Sequence, residues 1–262
     1  MVVVSDLSVP LGVDACGEGS EVTLCDEDRG DALLYLYPKL NTTGPCQTRT
    51  VIAEAAAETL RGAGGQRVML VGETSQFRDL ARKLAGSGDV ALEIGSSYGD
   101  CLAILHQRTG GNVRGIDISA VASAEAERKF PKLQGHIDVF NVLADPPRLS
   151  CALDGVTLAF VDMGGSANAE PVLRAVASMG ARPPVIVIKC RLLYRAALKA
   201  ELESGGSAAS VWWRELLRRC ENASCGGAGI GVPPWMHKNR RDGEKCRKGD
   251  GDGSINPRCQ SE

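Results

Sequence analysis

The stretch VALEIGSSYGDCLAIL (residues 90–105) decides the fold. Five apolar-rich residues end in Gly95, a short polar turn carries Ser96, Ser97 and Tyr98, and an apolar pattern with helical spacing resumes after Gly99. Strand, glycine turn, helix is the unit from which open α/β sheets are built. Working outward, further strand signals are VRGIDI (113–118), HIDVF (136–140), VTLAFVD (156–162) and VIVIKC (185–190). Helical stretches are expected at 99–108, 119–130, 168–179 and 192–203. Continuous Val, Ile and Leu runs alternating with helices indicate strands buried on both faces. Right-handed crossovers then make an α/β, doubly wound, mostly parallel sheet, with its ligand beyond the carboxyl ends of the strands.

Around this core the chain divides into zones. Residues 1–20 read as a loose leader, and residues 21–73 as a small N-terminal β-containing region. Within the latter, EVTLC (21–25), an acidic turn and ALLYLYP (32–38) read as a hairpin. TVIAEAAAETLRGAGG (50–65) favours helix, with a bent strand as the alternative, and RVMLV (67–71) is a short buried strand. The core proper spans 74–203 and opens with TSQFRDLARKLAG, a helix capped at Thr74 or Ser75. Residues 204–262 form a linker, a short amphipathic helix VWWRELLRRC (211–220), and an irregular Cys- and Gly-rich basic tail.

The bulk numbers narrow the classes of function. The 262 residues are 44% hydrophobic and 24% charged, with a formal net charge of −2. No global basic excess marks a nucleic-acid binder, and aromatics at 4% offer no base-stacking platform. No apolar run approaches the roughly 18 residues of a membrane span, and the start of the chain resembles neither a secretory signal nor a transit peptide. The ten cysteines are therefore expected as reduced thiols in an intracellular protein, cytoplasmic or nuclear.

The strand ends carry the chemistry. Glu93 and Gly95 close the first core strand, Gly99 opens the next helix, and Asp117 ends the following strand where an acid can accept both hydroxyls of a ribose. A dinucleotide needs backbone amides close to its pyrophosphate, and here Tyr98 crowds the helix start while Glu93 adds negative charge. An adenosine ligand carrying positive charge and no phosphate fits better, and S-adenosylmethionine (SAM) is such a ligand. ALEIGSSYGD (91–100) resembles the glycine-rich first motif of class I SAM-dependent methyltransferases. Glu93, Gly95 and Gly99 match it, and Ser97 replaces the middle glycine. VRGIDIS (113–119) is similar to the second motif, with Asp117 as ribose acid; for the third, Asn141 takes the adenine-contacting place, with Asp145 as its rival. The resemblance covers roughly residues 74–200 and implies a Rossmann-like methyltransferase core.

Two more strand ends, Asp162 and Lys189, face the same crevice. A lysine among positive neighbours in a dry pocket has its pKa lowered and serves as a base, with Asp162 orienting it or the methyl acceptor. The structural alternative is a turn-capping aspartate and a lysine reaching solvent. The pair resembles part of the Lys-Asp-Lys set of fibrillarin-like and FtsJ-like ribose 2′-O-methyltransferases. Where those enzymes have their first lysine this chain offers Arg78, Arg82 or Lys83, and Glu201 is the candidate for a fourth residue. Class I enzymes usually finish with a strand hairpin at the sheet edge. Nothing after residue 204 supplies one, so the N-terminal hairpin or the Trp212–Trp213 helix is expected to cover that edge.

In the tail, Cys220, Cys225, His237, Cys246 and Cys259 supply enough soft ligands for one zinc, but the spacings are loose and a solvated tail is the alternative. No metal ligand is assigned. The expected function is SAM-dependent methyl transfer, with RNA (a ribose 2′-hydroxyl) as the acceptor. The alternatives are a small-molecule or protein acceptor, and a binding protein that uses this fold without turnover.

Overall fold

The computed structural model describes residues 33–37, 46–61, 65–164, 169–204, 213 and 215–217. Seven strands form one sheet: β1 (Leu33–Leu36), β2 (Arg67–Val71), β3 (Ala91–Ile94), β4 (Val113–Asp117), β5 (Ile137–Val139), β6 (Leu158–Val161) and β7 (Val185–Lys189). Their order across the sheet is β1-β2-β7-β6-β3-β4-β5. Every pairing is parallel. Between them run helices α1 (Cys46–Arg61), α2 (Thr74–Leu84), α3 (Asp100–Thr109), α4 (Ala120–Lys129), α5 (Pro146–Ala152), α6 (Ala169–Met179) and α7 (Arg191–Ser204).

Period-two alternation sends each strand's side chains to opposite faces. Val68 and Leu70 of β2, with Ile186 and Ile188 of β7, join Leu173 of α6 and Leu193 of α7 on one face. Met69 and Val71, with Val185 and Val187, meet Leu60 of α1, Leu80 of α2 and Leu105 of α3 on the other. Because both faces are covered, both sets of positions are apolar, which explains the unbroken Val, Ile and Leu runs of the strands. Phe160 of β6 and Phe77 of α2 meet edge to face, their ring centroids 5.1 Å apart.

In the N-terminal region, the second arm of the expected hairpin, now β1, pairs parallel with β2 (Leu33 opposite Arg67, Leu36 opposite Leu70). Residues 21–25, the other arm, lie outside the described residues, as do the leader and the tail. The Ala-rich segment is helix, not a bent strand. It supplies the crossover that a parallel β1–β2 pair requires and a two-residue hairpin turn cannot. The edge beyond β7 is thus covered by strands that precede the core in the chain. Trp213 is buried on the face shared by α6 and α7.

Two local differences concern α2 and α5. The cap of α2 is Glu73, not Thr74 or Ser75: Gln76 turns back and its Oε1 accepts from the backbone N–H groups of Glu73 (3.0 Å) and Gly72 (3.1 Å). Helix α5 begins at Pro146, and its N-cap Asp145 accepts from the Arg148 backbone N–H at 3.1 Å.

Candidate active site

The chain runs from β3 outward through β4 to β5, then crosses back to the far side of β3 to form β6 and β7. The carboxyl ends of β3 and β6 therefore flank a topological switch point, where an open α/β sheet leaves a crevice. The turn after β3 is pressed against the end of β6. Gly95 has φ of +81°, and a Cβ there would lie 2.0 Å from the Asp162 carbonyl oxygen, so only glycine fits. Gly99, at φ +76°, begins α3, and a Cβ on it would lie 2.9 Å from both Ala126 and Leu133. Ser97, in the place of the family's middle glycine, also has a positive φ, of 46°.

The crevice is a cleft of about 510 Å³, and Gly95, Ser97, Asp117, Asn141, Asp162 and Lys189 all line it. Asp117 is held at both oxygens: Oδ2 accepts from the Ser97 N–H at 2.7 Å and Oδ1 from the Ser119 N–H at 2.8 Å. Each oxygen keeps a lone pair, so an oriented carboxylate faces the cleft. Next to it Ile118 is 69% exposed, and Phe140, Val142 and Leu143 continue an apolar wall. Asn141 bends its own loop, its Oδ1 accepting from the Leu143 N–H at 3.0 Å. Its rival Asp145 is spent on the α5 cap and does not line the cleft.

At the opposite end, Lys189 Nζ donates to Asp162 Oδ2 at 2.6 Å, with side-chain exposures of 13% and 20%. The alternative of a lysine reaching solvent is thereby set aside. The positive neighbours expected around Lys189 are absent: among the described lining residues it is the sole cation, and its partner is a carboxylate.

Two expected residues lie elsewhere. Gly99 does not line this cleft. Glu93 faces a second, smaller cleft of about 160 Å³ on the α2–α3 side of the turn, with Arg78, Ser96, Tyr98, Asp100 and Cys101. Gly95, Ser97 and Asp162 line both clefts, so the two meet at the glycine turn. Glu93 is 3% exposed, and its carboxyl is held well above the ordinary carboxylate range, by burial first and by the Asp162 charge second. Cys101, hydrogen-bonded to Glu93, has its thiol pushed up by burial and by the same carboxyl. Three buried polar atoms here have no hydrogen-bond partner: Glu93 Oε2, Ser96 Oγ and Arg78 Nε. Arg78 contacts Asp100 at 3.4 Å, so it sits behind the glycine turn and does not line the larger cleft with Lys189. Sequence reading singled out neither Ile118, Ser96 nor Cys101. The signal for Ile118 was an apolar residue exposed directly after a strand-ending acid; the other two become visible only when α2 and α3 pack over β3.

The sheet interior holds β3, a glycine turn follows it, an acid ends its neighbour β4, and the crevice opens between β3 and β6. The chain has a doubly wound, Rossmann-like parallel α/β fold. No protein-family model matches the chain. No curated protein matches it either. Among solved structures, two of the geranyl diphosphate C-methyltransferase of Streptomyces coelicolor A3(2) show distant likeness. Both are complexes with Mg²⁺ and S-adenosyl-L-homocysteine, one with geranyl diphosphate and the other with geranyl-S-thiolodiphosphate. The first is 17% identical with a TM-score of 0.28, over 40% of this chain and 47% of that one. The second is 17% identical with a TM-score of 0.28, over 58% and 51%. The chain thus spans about half the length of that enzyme. Cofactor-bound Rv0187 from MTB is 20% identical with a TM-score of 0.36, over 72% and 81%. At such distances the fold rests on the strand order alone.

Among the described residues, no group of three or more His, Cys, Asp or Glu could hold a metal ion. The cysteines and histidine of the zinc expectation lie outside them. No described helix is long and apolar enough to cross a membrane.

Proposed function

We propose that this methyltransferase-type chain binds SAM and transfers its methyl group to a small-molecule acceptor. One observation carries the reading: a carboxylate pre-oriented by two backbone N–H groups, Asp117, shares a cleft with the Lys189–Asp162 pair. The residues fit the cofactor. Asp117 takes the ribose hydroxyls, Ile118 and Val142 cover the adenine, and Asn141 borders its edge. The orphaned polar atoms of the smaller cleft suit the charged amino-acid end. Bound SAM supplies a methyl group on a sulfonium, already a good electrophile, so the protein's tasks are positioning and proton handling.

Lys189 and Asp162 perform both. The Lys189 ammonium donates a hydrogen bond to the acceptor oxygen and fixes it at the mouth of the cleft. The proton the acceptor loses passes to Asp162, whose Oδ1 is not taken by Lys189 and accepts only a 3.4 Å bond from the Gly164 N–H, and then to solvent. The charge around the cleft supports a small acceptor over RNA. One paired lysine among the described lining residues does not make a track for a phosphate backbone. Of the three candidates for the missing first lysine, Arg78 is on the other side of the glycine turn, and Arg82 and Lys83 pair with Asp79 and Glu54 and do not line the cleft. The side chain of Glu201 lies outside the described residues.

Calorimetric titration with SAM and, separately, with NAD tests the reading; NAD binding without SAM binding overturns it. Asp117→Ala is expected to weaken SAM binding by about tenfold or more, the loss of roughly 1.5–3 kcal/mol of charge-assisted hydrogen bonding. Lys189→Ala is expected to leave SAM affinity within about threefold while lowering transfer by about 10²-fold or more. A variant that loses both equally would make Lys189 a cofactor ligand.

A further inference from the structure

The pair at the end of β6 and β7 restricts which acceptor the larger cleft can serve. Lys189 Nζ lies 2.6 Å from Asp162 Oδ2, and Asp162 Oδ1 holds only a 3.4 Å bond from the Gly164 N–H. A group seated against both side chains meets an ammonium that donates and a carboxylate oxygen that accepts. The other acids and bases of the two clefts are placed elsewhere. Asp117 is held by the Ser97 and Ser119 N–H groups at the other end of the larger cleft, and Glu93 is buried beside the smaller one. The two described histidines, His106 and His136, meet each other edge to face with ring centroids 5.1 Å apart, and they line neither cleft. Residues 165–168, which follow Gly164, are Gly, Ser, Ala and Asn and carry no ionisable side chain. Among the described lining residues, Asp162 is thus the one proton acceptor beside Lys189.

We propose that the acceptor is a phenol, whose hydroxyl donates to Asp162 Oδ1 while its oxygen accepts from the Lys189 ammonium. The inference rests on the SAM reading above and names the acceptor class of that same site. Donor and acceptor roles select a hydroxyl. A carboxylate has no proton to give Asp162 and is repelled by it, a protonated amine is repelled by Lys189, and a thiol plays both roles only weakly. Acidity then separates two kinds of hydroxyl. Passing a proton to a carboxylate is unfavourable by about 10⁶-fold from a phenol, and by about 10¹²-fold from an aliphatic alcohol, an acid about as weak as water. An opposite charge within hydrogen-bond reach favours ionisation by about 10- to 1000-fold, so Lys189 offsets a large part of the first deficit. The second remains uphill by about 10⁹-fold or more. The wall of the cleft suits an aryl ring: Met163, the neighbour of Asp162, lines it with Phe140 and Leu143, and a thioether makes favourable contacts with aromatic rings. In the step itself the O–H bond breaks with its proton going to Asp162, the oxygen's electron pair forms the bond to the methyl carbon, and the pair of the broken S–C bond stays on sulfur. A phenol and a sulfonium become an aryl methyl ether and a thioether, and the proton passes from Asp162 to solvent.

The absorption of 4-nitrophenol reads the ionisation without any methyl transfer. With the full chain and S-adenosylhomocysteine, at a pH where the free dye is largely un-ionised, binding is expected to raise the ratio of phenolate to phenol by about tenfold. 4-Ethylphenol is expected to displace the dye, and its isomer 2-phenylethanol is not. Lys189→Met is expected to abolish the rise and Lys189→Arg to keep it. A second measurement follows labelled methyl from SAM: 4-ethylphenol is expected to be methylated at least about 10³-fold faster than 2-phenylethanol. Calorimetry with S-adenosylhomocysteine alone separates the two readings. Where that nucleoside binds, four results each overturn the phenol and leave the cofactor reading standing: dye that fails to bind or stays un-ionised, a rise that Lys189→Met retains, methylation of neither isomer, or methylation of both at similar rates. Should S-adenosylhomocysteine not bind, the cofactor reading falls and this inference with it. The wild-type spectrum and the two rates decide the matter even where Lys189→Met does not fold.

Discussion

Glu93 shows how one side chain connects the site to stability. Its carboxyl is buried first and repelled by Asp162 second, so its folded value lies well above the ordinary 4.5. A carboxyl raised on folding contributes stability that is fully present below its unfolded value and is lost as pH rises through its folded value. Glu93→Gln does not titrate. Its stability relative to the parent is therefore expected to rise with pH from about 4.5 upward and to level above the raised value. Urea unfolding at a series of pH values measures this; a difference constant with pH would mean that Glu93 titrates alike in both states. Glu93, Gly95 and Asp117 were legible as a cluster because spacing after a strand end places them. Their separation into two clefts was not, because the glycine turn passes between them and its path depends on how close Gly95 comes to Asp162.

At the scale of elements, β6 and α2 show why the core reads so plainly. Phe160 is fully buried and meets Phe77 edge to face, so β6 is fastened to a helix that arrives from the N-terminal side of the core. Phe160→Ala is expected to cost about 3–5 kcal/mol, from lost transfer energy and the cavity left behind. Chemical denaturation measures it, and a value under about 1 kcal/mol would show that the neighbouring side chains collapse into the space. The strand signals at 90–94, 156–162 and 185–190 correspond to β3, β6 and β7, since strands buried on both faces are apolar throughout. Helix α5 gave no such signal: it is seven residues long and starts with two prolines. The α2 cap lies one or two residues before the expected Thr74 or Ser75 because Gln76, not a Ser or Thr, makes the capping bonds.

Across the whole molecule, protection against exchange follows the sheet order. β6 and β7 lie inside the sheet with both faces covered, whereas β5 is a three-residue edge strand with Val139 41% exposed. Hydrogen exchange is expected to be slowest at Phe160, Val161, Val187 and Ile188 and fastest, among strands, at Ile137–Val139. Equal protection of β5 and β6 would mean that the described sheet opens only as a unit.

The local order of strand, turn and helix from residue 90 onward, the acids and glycine at the strand ends, and the expectation of a ligand without phosphate all lie in the sequence itself. They depend on spacing, side-chain polarity and backbone freedom within a few residues. The tertiary structure alone decided that β1 and β2 pair parallel at the edge beyond β7, that Lys189 meets Asp162, and that Glu93 faces a cleft of its own. Each of these joins segments far apart in the chain, and such pairings are selected by the burial of whole faces rather than by any local pattern.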